Sequence, residues 1–428
     1  MSELSILVVS PRLPGRLGKA DSRTTFHMVR HFAERGAKVH LATFASRSEM
    51  DDEAIGELEE LCASVDVVPL SAVKSALRVG IGLFTRTPMQ VWYYRYKKMR
   101  ERIDAIVQEH QPDVLYAHLI RTAPYLLNYE DRPRIVGLQI SQTLNYRRLI
   151  RHTSQPLVKA FYSIEYLKVR RYEPYLIPRL DRVLLISPHD KGAIDGADRF
   201  DNIFFNPHGI EVDYYGEDLG LTRENNVIMM NGVLSVPTNV DAVLYFYNKI
   251  FPLVKERVPD AKLWLVGREP ARAVRNLAAD PSVTVTGFVE DLRPYLQRAT
   301  VGIDPLRIGA GMQNKILVSM AAGLPVVATT VADEGIQAGK VGAMLVEDDP
   351  KFFADAVVRL LTNPGFRNEL SRQGRRYVRN RWTWEYHFDR LESMIRDLIA
   401  DGGGDAVAQY FPFSDVDGMS VAIPQTSA

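Results

Sequence analysis

Short apolar runs, rich in β-branched residues, alternate with amphipathic segments along the whole chain. Strands are predicted by runs at 4–9, 38–44, 65–69, 113–117, 134–139, 182–187, 226–232, 261–267, 283–287, 301–305, 325–329 and 342–346. The segments between them have helical periodicity; in 24–36, for example, Phe26, Val29 and Phe32 lie largely on one face. Because continuous apolar strands that alternate with helices indicate parallel sheets covered on both faces, we predict an α/β fold with two doubly wound, Rossmann-like domains.

The predicted domain boundary lies near residues 205–222, where Asn-Pro-His-Gly and an acidic stretch favour neither helix nor strand. The predicted organisation is an N-terminal domain at 1–205, a C-terminal domain at 206–385, a terminal helix at 386–401 and a tail at 402–428. The last helical stretch carries two tryptophans at a break, Trp382 and Trp384. The tail begins with DGGGD and has no periodicity, so it is predicted to be mobile.

The composition is that of an ordinary globular protein, with 46% hydrophobic and 25% charged residues among 428. A net charge of +1 gives no sign of a nucleic-acid partner. The single cysteine, Cys62, suits a reducing compartment. No apolar run approaches the roughly 20 residues of a membrane-spanning helix, and the N-terminus enters a strand without a charged leader. These features together predict a cytoplasmic protein.

The segment TVGIDPLRIGAGMQNKILVSMAAGLPVVATT, at 300–330, predicts a phosphate-binding αβ unit. Gly309 and Gly311 flank a loop in which the backbone can approach a ligand closely. The helix that follows presents free N–H groups to an anion, while Arg307 and Lys315 add positive charge. An ordinary αβ unit whose glycines only permit a turn is the alternative interpretation of the same pattern.

The amino-acid sequence of this segment resembles the nucleotide-sugar site of group 1 glycosyltransferases, and it is most similar to the PEP-CTERM/exopolysaccharide-associated subgroup. The likeness extends in order through FVEDLRPYL (288–296), VLSVPTNVDAVLYF (233–246) and KADSRTTFHMVRHFAERGAKVHLA (19–42). It covers roughly residues 5–400.

The resemblance implies a GT-B fold, in which two Rossmann-like domains face a cleft with the donor in one wall and the acceptor in the other. It implies a retaining transfer of a hexose from a nucleotide-diphosphate sugar to a glycan or polyprenyl-linked acceptor, without a metal or a cofactor. Phe288 and Val289 would line the pocket for the base. The donor phosphates would be held by Arg307, Gly309, Gly311, Met312, Gln313, Asn314 and Lys315.

Two candidate site residues lie in the N-terminal half. His118 ends a buried strand, and family members place there a histidine that contacts the donor sugar; a histidine satisfied by a backbone carbonyl is the alternative. Asp21 follows the first strand and could accept hydroxyls of the sugar or acceptor, or it could merely cap the next helix. Ser22 is a candidate N-cap of that helix.

The chain departs from the family pattern where the ribose is held. Relatives have a glutamate at the position of Val318, and many have a second one at the position of Ala310. Glu334, just past the next strand, is a candidate substitute, and His208 replaces a family asparagine near the domain boundary. These departures keep open a non-catalytic scaffold of an exopolysaccharide system. A nucleotide-sugar 2-epimerase also shares the architecture, although the sequence offers no clear acid–base pair of carboxylates.

Two further stretches, 89–102 and 145–172, place Arg and Lys beside Trp and Tyr. Interleaved cations and aromatic residues fit an anionic membrane surface, which would make the protein peripheral at the inner face of the plasma membrane. Solvated helices with buried aromatic residues explain the pattern equally well, and the sequence leaves both interpretations open. The nine scattered histidines predict no metal site.

Overall fold

The computed structural model describes residues 3–16, 20–46, 49–50, 52–153, 155–308 and 312–400. The chain forms two compact units. The N-terminal unit contains Met1–His208 and the segment that begins at His387, and the C-terminal unit is Gly209–Tyr386. The predicted tail at 402–428 lies outside the described residues.

The N-terminal unit is built on a parallel sheet of seven strands in the order β3-β2-β1-β4-β5-β6-β7. The strands are β1 Ser5–Ser10, β2 Lys38–Ala45, β3 Ser64–Pro69, β4 Val114–His118, β5 Arg134–Gln139, β6 Arg182–Leu185 and β7 Ile203–Phe205. In the register of the central strands, Val8 pairs with Leu41 on one side and with Tyr116 on the other. Six strands were predicted here, and the seventh, β7, is too short to give a periodic signal.

Helices cover this sheet: α1 Ala20–Glu34, α2 Asp52–Leu61, α3 Ala72–Leu83, α4 Met89–Tyr93, α5 Lys97–His110, α6 Gln142–His152, α7 Pro156–Leu176 and α8 Pro188–Gly192. The long helix α7 carries two buried carboxylates that hold the starts of other helices. Glu165 accepts the backbone N–H groups of the first two residues of α4, at 2.8 and 3.0 Å. Glu173 accepts those of Gln142 and Thr143 at the start of α6, at 2.6 and 3.3 Å. Each carboxylate satisfies donors that a helix leaves unpaired at its first turn.

The C-terminal unit has a parallel sheet of six strands in the order β10-β9-β8-β11-β12-β13. Its strands are β8 Val227–Asn231, β9 Lys262–Val266, β10 Val283–Gly287, β11 Val301–Asp304, β12 Val326–Ala328 and β13 Leu345–Val346. Its helices are α9 Val212–Gly216, α10 Pro237–Tyr245, α11 Phe251–Arg257, α12 Arg272–Asn276, α13 Arg293–Arg298, α14 Asn314–Ala321, α15 Thr330–Asp333, α16 Pro350–Thr362 and α17 Pro364–Arg381. All six predicted strands are present.

The last helix, α18 Trp384–Ala400, follows a break after α17, as the two tryptophans predicted. From His387 onward it belongs to the N-terminal unit. There the ring of Phe388 contacts His31 of α1, and Arg35 forms an ion pair with Asp389. No helix in the described part of the chain combines the length and the hydrophobicity needed to cross a membrane.

Candidate functional site

The strand order of the C-terminal sheet places a switch point between β8 and β11, where successive connections leave in opposite directions. In open α/β sheets ligands bind beyond the carboxyl ends of the strands at this place. β8 ends at Asn231 and β11 at Asp304, and both side chains are buried. The candidate donor site therefore lies around these two strand ends.

Lys315, in the first turn of α14, lies at this switch point. Its Nζ is 2.8 Å from a carboxylate oxygen of Asp304 and donates to Asn239 Oδ1 at 2.9 Å. The Asp304 side chain is 1% exposed; burial raises the pKa of its carboxyl, and the Lys315 ammonium opposes that rise. An ammonium has three donors, so two contacts leave one for a phosphate oxygen. The sequence predicts Lys315 as a positive charge beside the glycine loop, and the structure shows in addition that its side chain is only 11% exposed and neutralises a buried carboxylate.

Arg307 follows β11 and is half-exposed. Its Nε and Nη2 donate to the two carboxylate oxygens of Asp241 at 3.0 and 2.5 Å, and its guanidinium lies 4.5 Å from the ring centroid of Tyr245. These contacts hold one edge of the guanidinium, so only the other edge can reach a phosphate without breaking them.

The glycine loop itself, including Gly309, Ala310 and Gly311, lies outside the described residues. The residues after it form the start of α14. Met312 is half-buried against the core, Gln313 is the N-cap residue, and Asn314 is exposed at the first helical position.

Two glycines lie at the ends of neighbouring strands beside this site. Gly232 follows β8 with φ +148°, and Gly267 follows β9 with φ +151°. A Cβ placed on Gly267 would lie 1.8 Å from the carbonyl oxygen of Gly232, so the two backbones meet where no side chain fits. This close approach was not predicted from the sequence.

The remaining predicted donor residues are spread along the same sheet. Phe288, after β10, is 73% exposed, whereas Val289 is half-buried against the core. Glu334 is exposed directly after α15. Val318 is 8% exposed and belongs to the hydrophobic core, so α14 offers no carboxylate at the position where the resemblance implies one.

In the N-terminal unit the switch point lies between β1 and β4, and both predicted residues are found there. His118 ends β4 and is fully buried, with its Nδ1 3.3 Å from the hydroxyl of Tyr116. Within the described residues its Nε2 has no hydrogen-bond partner. Burial lowers the pKa of His118 to about 3, so the ring is neutral and can donate or accept a hydrogen bond without carrying charge.

Asp21 lies in the first turn of α1, and both its oxygens accept from Arg12 Nη1, at 2.9 and 2.8 Å. The carboxylate is thus neutralised by a cation that was not singled out from the sequence. The prediction that Ser22 is the N-cap of α1 is wrong, because the helix already includes Ala20 and the hydroxyl of Ser22 donates to the carbonyl of Leu13.

Among the described residues, no group of three or more His, Cys, Asp or Glu side chains is placed to hold a metal ion. The prediction of a metal-independent reaction stays a prediction. Asp304, Asn239 and Arg12 were not predicted from the sequence. For Asp304 a signal existed, since a carboxylate ending an apolar strand at a switch point is unusual enough to require a partner.

The fold defines the structural class: the chain consists of two parallel-sheet α/β units, as GT-B glycosyltransferase structures do. Residues 225–363 match the model of the family "Glycosyl transferases group 1". This segment runs from β8 to α16, and it contains Asn239, Asp304 and Lys315.

Three known proteins illustrate the similarity. The chain is 22% identical over 342 residues to an uncharacterized 44.6 kDa protein in the cps region of Klebsiella pneumoniae, which covers 76% of this chain and 83% of that protein. It is 28% identical over 190 residues to a GDP-mannose-dependent monoacylated alpha-(1-6)-phosphatidylinositol monomannoside mannosyltransferase of Corynebacterium glutamicum, covering 42% and 49% of the two chains. The structure of Anabaena HepE in complex with UDP has a TM-score of 0.59 at 15% identity, and covers 92% of this chain and 100% of that one.

Proposed function

We propose that the protein is a glycosyltransferase of polysaccharide biosynthesis that moves a hexose from a nucleotide-diphosphate sugar to a glycan or lipid-linked glycan. The observation that carries the proposal is the Lys315 ammonium, which is held by Asp304 and Asn239 at the switch point within the segment that matches the family. A fixed cation at this place is what a departing diphosphate requires.

The proposed reaction retains the anomeric configuration. The acceptor hydroxyl attacks the anomeric carbon on the face from which the diphosphate leaves; the bond from that carbon to the diphosphate oxygen breaks, and the hydroxyl proton passes to the diphosphate. Lys315 and the free edge of Arg307 would stabilise the negative charge on the diphosphate, together with the amides at the start of α14. His118, being neutral, would orient a sugar hydroxyl through its Nε2.

The test is a panel of nucleotide sugars, with and without lipid and glycan acceptors, in which release of nucleoside diphosphate is measured. Calorimetry with UDP and GDP separates binding from turnover. A folded protein that binds neither nucleotide and releases none would contradict the proposal.

Val318 supports a second candidate, a catalytically impaired scaffold of an exopolysaccharide system, because a core valine cannot accept hydrogen bonds from a ribose. Absence of nucleotide binding would favour this candidate. The nucleotide-sugar 2-epimerase is tested in the same assay by omitting the acceptor: conversion of UDP-N-acetylglucosamine without an acceptor would support it.

If Glu334 replaces the missing glutamate, Glu334→Ala should weaken UDP or GDP binding by about 10–100-fold, because a carboxylate that accepts hydroxyl hydrogen bonds is lost. Affinity for inorganic pyrophosphate should not change, since pyrophosphate has no ribose. Glu256→Ala, which removes an exposed carboxylate from α11, is the control. Unchanged nucleotide affinity in Glu334→Ala would show that Glu334 does not hold the ribose.

A further inference from the structure

A cavity of about 1030 Å³ lies within the N-terminal unit, and its lining is strongly cationic. The described residues that line it include six arginines, one lysine and five tyrosines, and no aspartate or glutamate. The volume is that of a site for a sizeable small molecule. Uncompensated positive charge on this scale is suited to a polyanion, and phosphate is the anion that arginine recognises best.

The arginines of the cavity are positioned by rings and carbonyl groups. The guanidinium of Arg78 lies 4.0 Å from the ring centroid of Tyr96, and Arg100 donates to the carbonyls of Tyr125 and Pro124 at 2.5 and 2.9 Å. The Nη1 of Arg78 is buried without a hydrogen-bond partner among the described residues. This atom is therefore available to an acceptor that a ligand supplies.

Tyrosines in the wall of the cavity are hydrogen-bonded to the backbone. The hydroxyl of Tyr96 donates to the carbonyl of Ser71 at 3.0 Å, and that of Tyr125 donates to the carbonyl of Tyr94 at 2.5 Å. The tyrosines that support the arginines are therefore fixed, which lowers the entropy lost on binding.

Two helices that line the cavity also expose apolar side chains to solvent. On α3, Val73, Leu77 and Ile81 follow one another at a spacing of four residues and are 73%, 69% and 56% exposed. On α7, Leu157 is 86% exposed; Phe161, Ile164 and Leu167 on the same helix are also exposed. These two helices are joined, because Lys168 Nζ of α7 donates to the carbonyls of the last two residues of α3, at 2.5 and 3.2 Å.

We propose that the cavity binds the terminal phosphate monoester of a membrane lipid headgroup, while the exposed residues of α3 and α7 enter the apolar layer beneath the headgroups. The positive charge of the cavity lining favours an anionic phosphate. The apolar rows select a lipid over a soluble phosphate, since apolar side chains clustered beside a polar site gain by leaving water only at a membrane or another apolar surface. Binding to vesicles tests this proposal without any measurement of transferase activity.

The experiment is flotation of the full chain with vesicles. One set contains phosphatidylcholine alone, a second adds phosphatidic acid, and a third adds phosphatidylglycerol matched for charge. We expect binding to phosphatidic acid above all, since its terminal phosphate monoester can enter the cavity. Equal binding to phosphatidylglycerol would indicate a general electrostatic attraction, and binding to phosphatidylcholine alone a purely apolar one; either result would overturn the proposal.

Two variants remove the two halves of the site. Arg86→Gln with Arg171→Gln, at exposed cavity positions that leave the buried tyrosines intact, should weaken binding about 30-fold. Leu77→Ser with Ile81→Ser should lose vesicle binding but keep the part of the inorganic pyrophosphate binding that Arg86→Gln with Arg171→Gln removes. Arg379→Gln and Leu221→Ser, in the C-terminal unit, are the matched controls.

Parent-like vesicle binding by either double variant, or an equal loss in the controls, would overturn the proposal. Arg78→Gln is a further test in the cavity interior, and a thermal melt of each variant shows that a loss of binding does not come from unfolding. If the parent chain binds no vesicle, but binds pyrophosphate more tightly than the Arg86→Gln with Arg171→Gln variant does, the cavity is a pocket for a soluble anion and the lipid is rejected.

Discussion

Replacing Lys315 by methionine is expected to lower the free energy of unfolding of the C-terminal unit by about 3–5 kcal/mol. The substitution keeps most of the apolar stem but leaves the Asp304 carboxylate, which is 1% exposed, without its cation. A buried charge without a partner is among the most destabilising consequences of a single substitution. Chemical denaturation measures the change, and Lys340→Met, at an exposed position of the same unit, is the control.

The stability lost in Lys315→Met should depend on pH, and the buried Asp304 carboxyl determines the direction of that dependence. Burial raises the pKa of Asp304 above its unfolded value, so its stabilising contribution is present below the unfolded pKa and is lost as pH rises through the folded pKa. Lys315 opposes that loss, so the deficit of Lys315→Met should be largest at neutral pH and smaller in acid. Adding Asp304→Asn should restore much of the stability. A deficit that is independent of pH, or no rescue by Asp304→Asn, would show that the pair does not carry the effect.

Gly267→Ala should prevent the C-terminal unit from folding, or destabilise it by more than about 4 kcal/mol. The new Cβ would lie 1.8 Å from the carbonyl oxygen of Gly232, and because both groups are backbone-bound no side-chain rotation relieves the clash. Gly287→Ala isolates this effect. Gly287 has φ +72° with open space around a Cβ, so its substitution should cost only the left-handed strain of about 1–2 kcal/mol.

Circular dichroism and denaturation of the two glycine variants provide the comparison. Similar stability in both would mean that the strands β8 and β9 can separate at their ends without penalty. In that case the close approach of the two backbones would not be a fixed part of the site.

The strands and their grouping into two sheets could be predicted because each buried strand is a continuous apolar run. Such a run can be recognised in the sequence without knowing which residues it packs against. β7 was missed because three residues are too few to show a pattern. The start of α1 was placed too late because Ser22 has the chemistry of an N-cap, and only the fold shows that its hydroxyl is bonded to Leu13.

The site was predicted less completely, since its contacts join residues that are distant in sequence. Lys315 could be singled out as a cation near a phosphate loop, but its partner Asn239 lies 76 residues earlier, and no local pattern connects them. The same limit applies to the arginine-rich cavity. The stretch 89–102 could be recognised by its interleaved cations and aromatic residues, but Arg78 and Tyr125, which complete the cavity, lie outside it.

The two carboxylates of α7 have a consequence for how the N-terminal unit opens. Glu165 accepts hydrogen bonds from the start of α4, and Glu173 accepts them from the start of α6. Neither α4 nor α6 can therefore detach without exposing a buried carboxylate of α7. In hydrogen exchange, the amides of Met89, Gln90 and Gln142 should therefore open in one cooperative step, although they belong to two connections of the sheet that are separate in sequence. Because α4 borders the cavity, an occupant there would slow exchange in α6, which does not touch it.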